Sequence, residues 1–152
     1  MLKTGEKAPS FKLQDSEGKV HSLEEYQGKT IVVYFYPKDD TPGCTKEACS
    51  FRDDYSAFKE AGVEIIGISP DTIESHQKFS EKYDLPFTLL ADPDHKVSEA
   101  YEVWGQKKSF GREYEGVFRT TFIIGPESKI KRVFENVKPS DHSQEVLGEV
   151  SG

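Results

Sequence analysis

The chain is poor in sulfur, with two cysteines and one methionine among 152 residues. It has no apolar run near the roughly 18 residues that a membrane-spanning helix needs. The N-terminus, MLKTGEKAPSFKLQDSEG, lacks the apolar stretch of a secretory signal. A cytoplasmic location is therefore expected. Cationic excess is missing too: 27 acidic residues against 20 basic give a net charge of −7. That balance lacks the electrostatic footprint of a nucleic-acid binder and gives no polybasic membrane contact. Internal repeats, low-complexity tracts and linker-like composition shifts are absent as well. One domain spanning residues 1–152 is expected, and this length allows a real core. Hydrophobic residues make up only 35% and charged residues 31%. The apolar residues nevertheless cluster in runs, which marks a folded chain rather than a disordered one.

Those runs set the fold class. Residues 11–13 and 19–22 flank the turn-rich QDSEGK and predict an N-terminal hairpin. Ser22 with Glu25 three positions on reads as a capping box, with Gly28 as the stop. TIVVYFY (30–36), VEIIGIS (63–69) and FTLLA (87–91) are continuous β-branched and aromatic runs, suited to strands buried on both faces. Helical patterns lie between them, over 42–60, over 71–83 opened by Asp71, and over 95–103. This alternation predicts right-handed βαβ crossovers. RTTFIIG and KIKRVFE, joined through Gly125 and PES, predict an antiparallel hairpin that completes the sheet. Residues 140–150 predict a closing amphipathic helix. The expected class is α/β, a mixed central sheet flanked by helices on both faces.

Both cysteines fall in YPKDDTPGCTKEACSF (36–51). Thr41 is a good N-cap and Pro42 occupies the favoured first helical position, which makes Cys44 the third helical residue. It then lies beyond the C-terminal end of a central strand, where α/β sheets bind ligands. Unsatisfied N–H groups and the helix dipole favour the thiolate there, and the thiolate is the nucleophile. The Thr41 hydroxyl is expected near the Cys44 backbone N–H. Cys49, five positions on, is turned by about 140° and displaced by about 7.5 Å, so the two Cα atoms stand roughly 8.7 Å apart in an intact helix. A disulfide needs them within ~7 Å. The sulfurs can join only if the first turns unwind. A plainer alternative makes Cys44 an N-terminal helix residue and Cys49 a core filler. A C-x-x-C dithiol motif is absent, and the spacing matches no zinc pattern. His21, His76, His95 and His142 are scattered and are expected to be ordinary surface or helix residues.

YFYPKDDTPGCTKEACSFRD resembles the active-site segment of peroxiredoxins, in particular the bacterioferritin comigratory protein or peroxiredoxin Q group. The family pattern P-x-x-x-T-x-x-C falls on Pro37, Thr41 and Cys44. Cys49 matches the resolving cysteine that part of this group carries, and FRTTFIIG places Arg119 at the family's catalytic arginine. GEKAPSFKLQDSEGK and FTLLADPDHKVSEAYEVWG are also similar to this group, so the resemblance spans nearly the whole chain. Residues 105–116 match no family pattern in detail, and Gly148 interrupts the last helical stretch.

The resemblance implies a thioredoxin-like fold with an N-terminal β-hairpin extension. It also implies a thiol peroxidase acting on hydrogen peroxide and organic hydroperoxides without metal or organic cofactor. Cys44 would become a sulfenic acid, Cys49 would resolve it to a disulfide, and a thioredoxin-like dithiol would reduce that. Thr41 and Arg119 would bind the sulfur and peroxide, Pro37 would shape and shield the pocket, and Glu47 would orient Arg119. A monomer or weak dimer is expected. Two rival readings are a copper-handling thioredoxin-fold metallochaperone, with two cysteines and a distant histidine as ligands, and a redox-sensing interaction protein.

Overall fold

A computed structural model describes residues 2–151, apart from the side chains of Ser109 and Ser151. Its centre is the run of β-branched and aromatic residues in β3 (Thr30–Phe35), all buried after Thr30. Alternation along a strand sends Ile31, Val33 and Phe35 into one core, and Val32 and Tyr34 into another on the opposite face. Each fully buried side chain of this kind contributes about 1.5–3 kcal/mol. Exposing either face would therefore be costly, and both are covered.

Around β3 stand β4 (Val63–Ser69), paired parallel, and β8 (Thr120–Ile124), paired antiparallel. β5 (Thr88–Ala91) runs parallel to β4, and β9 (Ile130–Phe134) runs antiparallel to β8. The N-terminal hairpin, β1 (Lys12–Asp15) and β2 (Val20–Ser22), extends the sheet antiparallel to β5. The order is β2-β1-β5-β4-β3-β8-β9, a mixed seven-stranded sheet. One face carries α1 (Pro42–Asp53), α2 (Tyr55–Glu60), α3 (Ile73–Tyr83) and α5 (His142–Ser151), through Phe51, Phe58, Phe79 and Val146. The other carries the N-terminal segment, a short 3-10 turn at Leu23–Tyr26 and α4 (Lys96–Ala100). No helix among the described residues is long and apolar enough to cross a membrane.

Four features differ from the sequence expectations. The helical stretch 42–60 is two helices, broken at Asp54, whose carboxylate accepts bonds from Ser143 and Gln144 of α5 at 2.6 and 2.7 Å. The break is thus held by tertiary contacts that no local pattern shows. α3 is capped by Thr72, which accepts from the Ser75 N–H at 3.1 Å, rather than by Asp71. Asp71 is instead engaged with the loop before α1, accepting from the Asp39 N–H at 2.8 Å. α4 stops at Ala100 because Glu102 turns left-handed, with φ +59°. Residues 104–117, for which no element was expected, form a separate hairpin, β6 (Trp104–Ser109) and β7 (Arg112–Val117). Its two-residue turn, Phe110–Gly111, has positive φ at both positions, the arrangement whose twist suits tight hairpins.

Candidate active site

Thr41 has extended backbone and α1 begins at Pro42, so Cys44 is the third residue of the helix. The segment from Tyr36 to Thr41 follows the end of β3, where Phe35 lies opposite Ile68 of β4 and Thr120 of β8. Arg119 immediately precedes β8. The antiparallel register therefore delivers it to the same sheet end from which α1 departs.

There the three side chains meet. Arg119 donates from Nη2 to Cys44 Sγ at 3.4 Å and from Nη1 to Glu47 Oε1 at 2.7 Å. Cys44 is 1% exposed, Glu47 is fully buried, and the Arg119 side chain is 17% exposed. The guanidinium's planar fork can serve two acceptors at once, which a lysine ammonium does less well. Burial works against its charge, but Glu47 and Cys44 outweigh that and hold Arg119 above its ordinary range. Burial pushes the Glu47 carboxyl up to about 7, against the opposing pull of Arg119. Its second oxygen, Oε2, has no partner. The only other buried side-chain polar atom so left among the described residues is the Tyr34 hydroxyl. Burial, then the Glu47 charge, raises the Tyr34 phenol well above its ordinary range.

Thr41 donates its hydroxyl to Lys38 O at 2.8 Å and makes no capping bond to the helix. The expected contact with the Cys44 N–H is not formed: the hydroxyl is turned toward the loop carbonyl rather than toward the first N–H groups of the helix. Pro37 lies half-buried at the start of the same loop. Cys49 sits in the unbroken part of α1, half-buried, and both thiols are free. Burial, opposed by Arg52, raises the Cys49 thiol.

Two contributors carried no assigned role in the sequence. A Cβ on Gly43 would stand 3.0 Å from Arg119 Nη2 and 3.4 Å from Pro139, so the close approach of guanidinium and helix depends on glycine. Gly43 lies inside the quoted segment, but nothing local signals a partner far along the chain. Lys107, from β6, donates to Val117 O at 2.8 Å. Burial, then the charge of Arg119, holds its ammonium below the ordinary lysine range. The unexpected hairpin thus brings a second cation to this side of the fold. His76, His142 and His21 are buried and hydrogen-bonded rather than surface residues. Trp104 stacks on His95 with ring centres 4.0 Å apart and donates to Glu115. Among the described residues, the one cluster of three potential metal ligands is Asp39, Asp71 and His76, and it contains neither cysteine.

Residues 4–133 match the model of the AhpC/TSA family. This chain belongs to that family. Within it the chain falls in the bacterioferritin comigratory protein or peroxiredoxin Q group. It is 50% identical to peroxiredoxin Bcp of Bacillus subtilis, over 96% of this chain and 93% of that one. It is 47% identical to peroxiredoxin Bcp of Escherichia coli, over 96% and 94%. A solved structure of Xanthomonas campestris bacterioferritin comigratory protein, described for its alkyl peroxide reduction activity, superposes with a TM-score of 0.88. It is 35% identical and covers 92% of this chain and 89% of its own. Peroxiredoxin Q of Xylella fastidiosa, solved as a cysteine-to-serine mutant, gives a TM-score of 0.93 at 30% identity, covering 98% and 95%. The thioredoxin-like fold with its N-terminal strands is thus that of the peroxiredoxins.

Proposed function

We propose that this chain is a thiol peroxidase that reduces hydrogen peroxide and organic hydroperoxides through Cys44. The observation that carries the reading is the Arg119 guanidinium bridging Cys44 Sγ and Glu47 Oε1 at a helix N-terminus. A cation and a positive helix end beside a thiol favour the thiolate. In the proposed reaction the thiolate attacks the outer oxygen of the peroxide. The O–O bond breaks, sulfur takes that oxygen as a sulfenic acid, and the leaving oxygen departs as water or alcohol once protonated. Arg119 stabilises the charge that develops on the leaving oxygen. Glu47 holds the guanidinium in place. The Thr41 hydroxyl proton is committed to Lys38 O, so its oxygen faces the peroxide as an acceptor. Pro37 walls the pocket against further oxidation.

Cys49 then attacks the sulfenic acid, giving a Cys44–Cys49 disulfide and releasing water. A thioredoxin-like dithiol reduces the disulfide by exchange. Helix geometry keeps the two Cα atoms roughly 8.7 Å apart while α1 is wound, so this step includes local unwinding. We place the protein in the cytoplasm as a monomer or weak dimer, with no nucleic-acid or membrane partner. The copper-handling reading has less support, since no third ligand joins the cysteines in a cluster among the described residues.

Stopped-flow mixing of the reduced protein with hydrogen peroxide tests the proposal. Peroxide is consumed rapidly by the wild type and not by Cys44→Ser. Consumption that survives the substitution removes Cys44 from the chemistry.

A further inference from the structure

The loop between β3 and α1 is tied down more tightly than a surface loop needs to be. Asp39 is buried, and its carboxylate accepts from the Tyr36 hydroxyl at 2.6 Å and from Ser75 Oγ at 2.8 Å, and meets His76 Nδ1 at 2.7 Å. Its backbone N–H donates to Asp71 at 2.8 Å, and Asp71 is held in turn by the Ser69 hydroxyl at 2.6 Å. His76 is wholly buried on α3, and its Nε2 faces Leu90 O at 3.0 Å. A carbonyl oxygen can only accept, so Nε2 carries a hydrogen. The short Nδ1–carboxylate contact then requires one further proton, shared between imidazole and Asp39. Outside this buried pair, the neighbouring Asp40 adopts a left-handed conformation, φ +56°. It reaches Lys82 and the Tyr83 hydroxyl, both at 2.8 Å and both on α3.

We propose that Asp39 and His76 are positioning residues for the peroxidase reaction: their buried contact docks the Tyr36–Thr41 loop onto α3 and fixes the start of α1. The inference rests on the peroxidase reading above. Thr41, the acceptor proposed for the peroxide, ends this loop, and its carbonyl accepts the first helical bond from the Thr45 N–H at 2.8 Å. A docked loop therefore favours the wound helix in which Cys44 meets Arg119. It also sets the upstream limit of the unwinding that brings Cys44 to Cys49. Loosening the loop should act on the two steps in opposite directions, slowing attack on peroxide and speeding disulfide formation.

The experiment measures both rate constants by stopped flow, sulfenic acid formation and then Cys44–Cys49 closure, in three variants. Asp39→Ala with His76→Leu replaces both partners by apolar groups; the Tyr36 hydroxyl and Leu90 O lose their partners in this variant, so its Tm and circular dichroism are checked before its rates are read. The ratio of the second rate constant to the first rises tenfold or more in this double variant. Asp39→Asn restores the wild-type ratio to within about twofold. Its amide can donate to a neutral His76 Nδ1 and to Ser75 while its carbonyl accepts from Tyr36. Ile130→Ala removes core packing on the opposite face of the sheet and serves as the control. It lowers the Tm and leaves the ratio unchanged. A wild-type ratio in the double variant overturns the proposal, and so does an equal shift in Ile130→Ala. A wild type that consumes no peroxide overturns instead the reading on which it rests.

Discussion

Arg119 Nη2 lies 3.4 Å from Cys44 Sγ across 75 positions of sequence, while its other terminal nitrogen holds Glu47 at 2.7 Å. The proposed chemistry depends on this single side chain pointing two ways. A hydrogen bond to a charged group is worth about 1.5–3 kcal/mol. Arg119→Ala should therefore slow sulfenic acid formation roughly 10- to 100-fold. Arg119→Lys should recover little of that, because an ammonium does not reproduce the fork. Stopped-flow rates of the first step check both, and full recovery by lysine would mean that charge alone matters.

Gly43→Ala is expected to separate activity from stability. The added methyl meets the guanidinium at 3.0 Å, and Arg119 is pinned from behind by Glu47. The contact with sulfur must lengthen. Alanine is the better helix former by about 1 kcal/mol, so the Tm should hold or rise while the first-step rate falls several-fold. An unchanged rate would show that the guanidinium shifts without consequence.

Glu47 gives a pH dependence of defined sign. Its ordinary value is 4.5 and burial raises it to about 7 in the folded protein. Between those values the folded state binds the extra proton, so stability falls as pH rises through that window. Burial holds His142 below the ordinary histidine range, which acts in the opposite sense. The informative quantity is therefore the difference between wild type and Glu47→Gln. Thermal melts from pH 4.5 to 7 should show the wild type losing a few degrees relative to the variant. A constant difference would mean that Glu47 titrates alike in the folded and unfolded states.

Disulfide formation should cost helix. Cys49 lies on a continuous α1, on nearly the opposite side from Cys44. Amide exchange over residues 42–49 should accelerate on oxidation. Cys49→Ser should consume one equivalent of peroxide, stop without thioredoxin-linked cycling, and keep the protection of α1. Full protection in the oxidised wild type would exclude the intramolecular bond.

Local pattern placed most of the elements. The aromatic and β-branched run at 30–36 suited a strand buried on both faces, and Thr41 with Pro42 marked the start of α1. Other elements escaped it. The break at Asp54 depends on Ser143 and Gln144 of α5, some 90 residues away. The hairpin at 104–117 is mostly polar, and its turn has Phe110 ahead of Gly111, where asparagine, aspartate or glycine usually stands. Gly43 carries no signal in the sequence beyond its place in the first turn of α1, and its role shows only when the guanidinium is seen against it.

The order of residues alone set the chemistry on offer: one thiol at a helix start, a second five positions on, and an arginine that matters only within its motif. These are properties of short segments, where propensity and spacing act directly. Folding then settled which charges share the interior. In the sequence only the family resemblance tied Glu47 to Arg119, and the register of β8 on β3, together with the packing of α1 on the sheet, is what buries it beside the guanidinium. Asp39 and His76 stand 37 positions apart, and only the packing of α3 brings them together. Burial and long-range pairing set electrostatics, and neither is a local property of the chain.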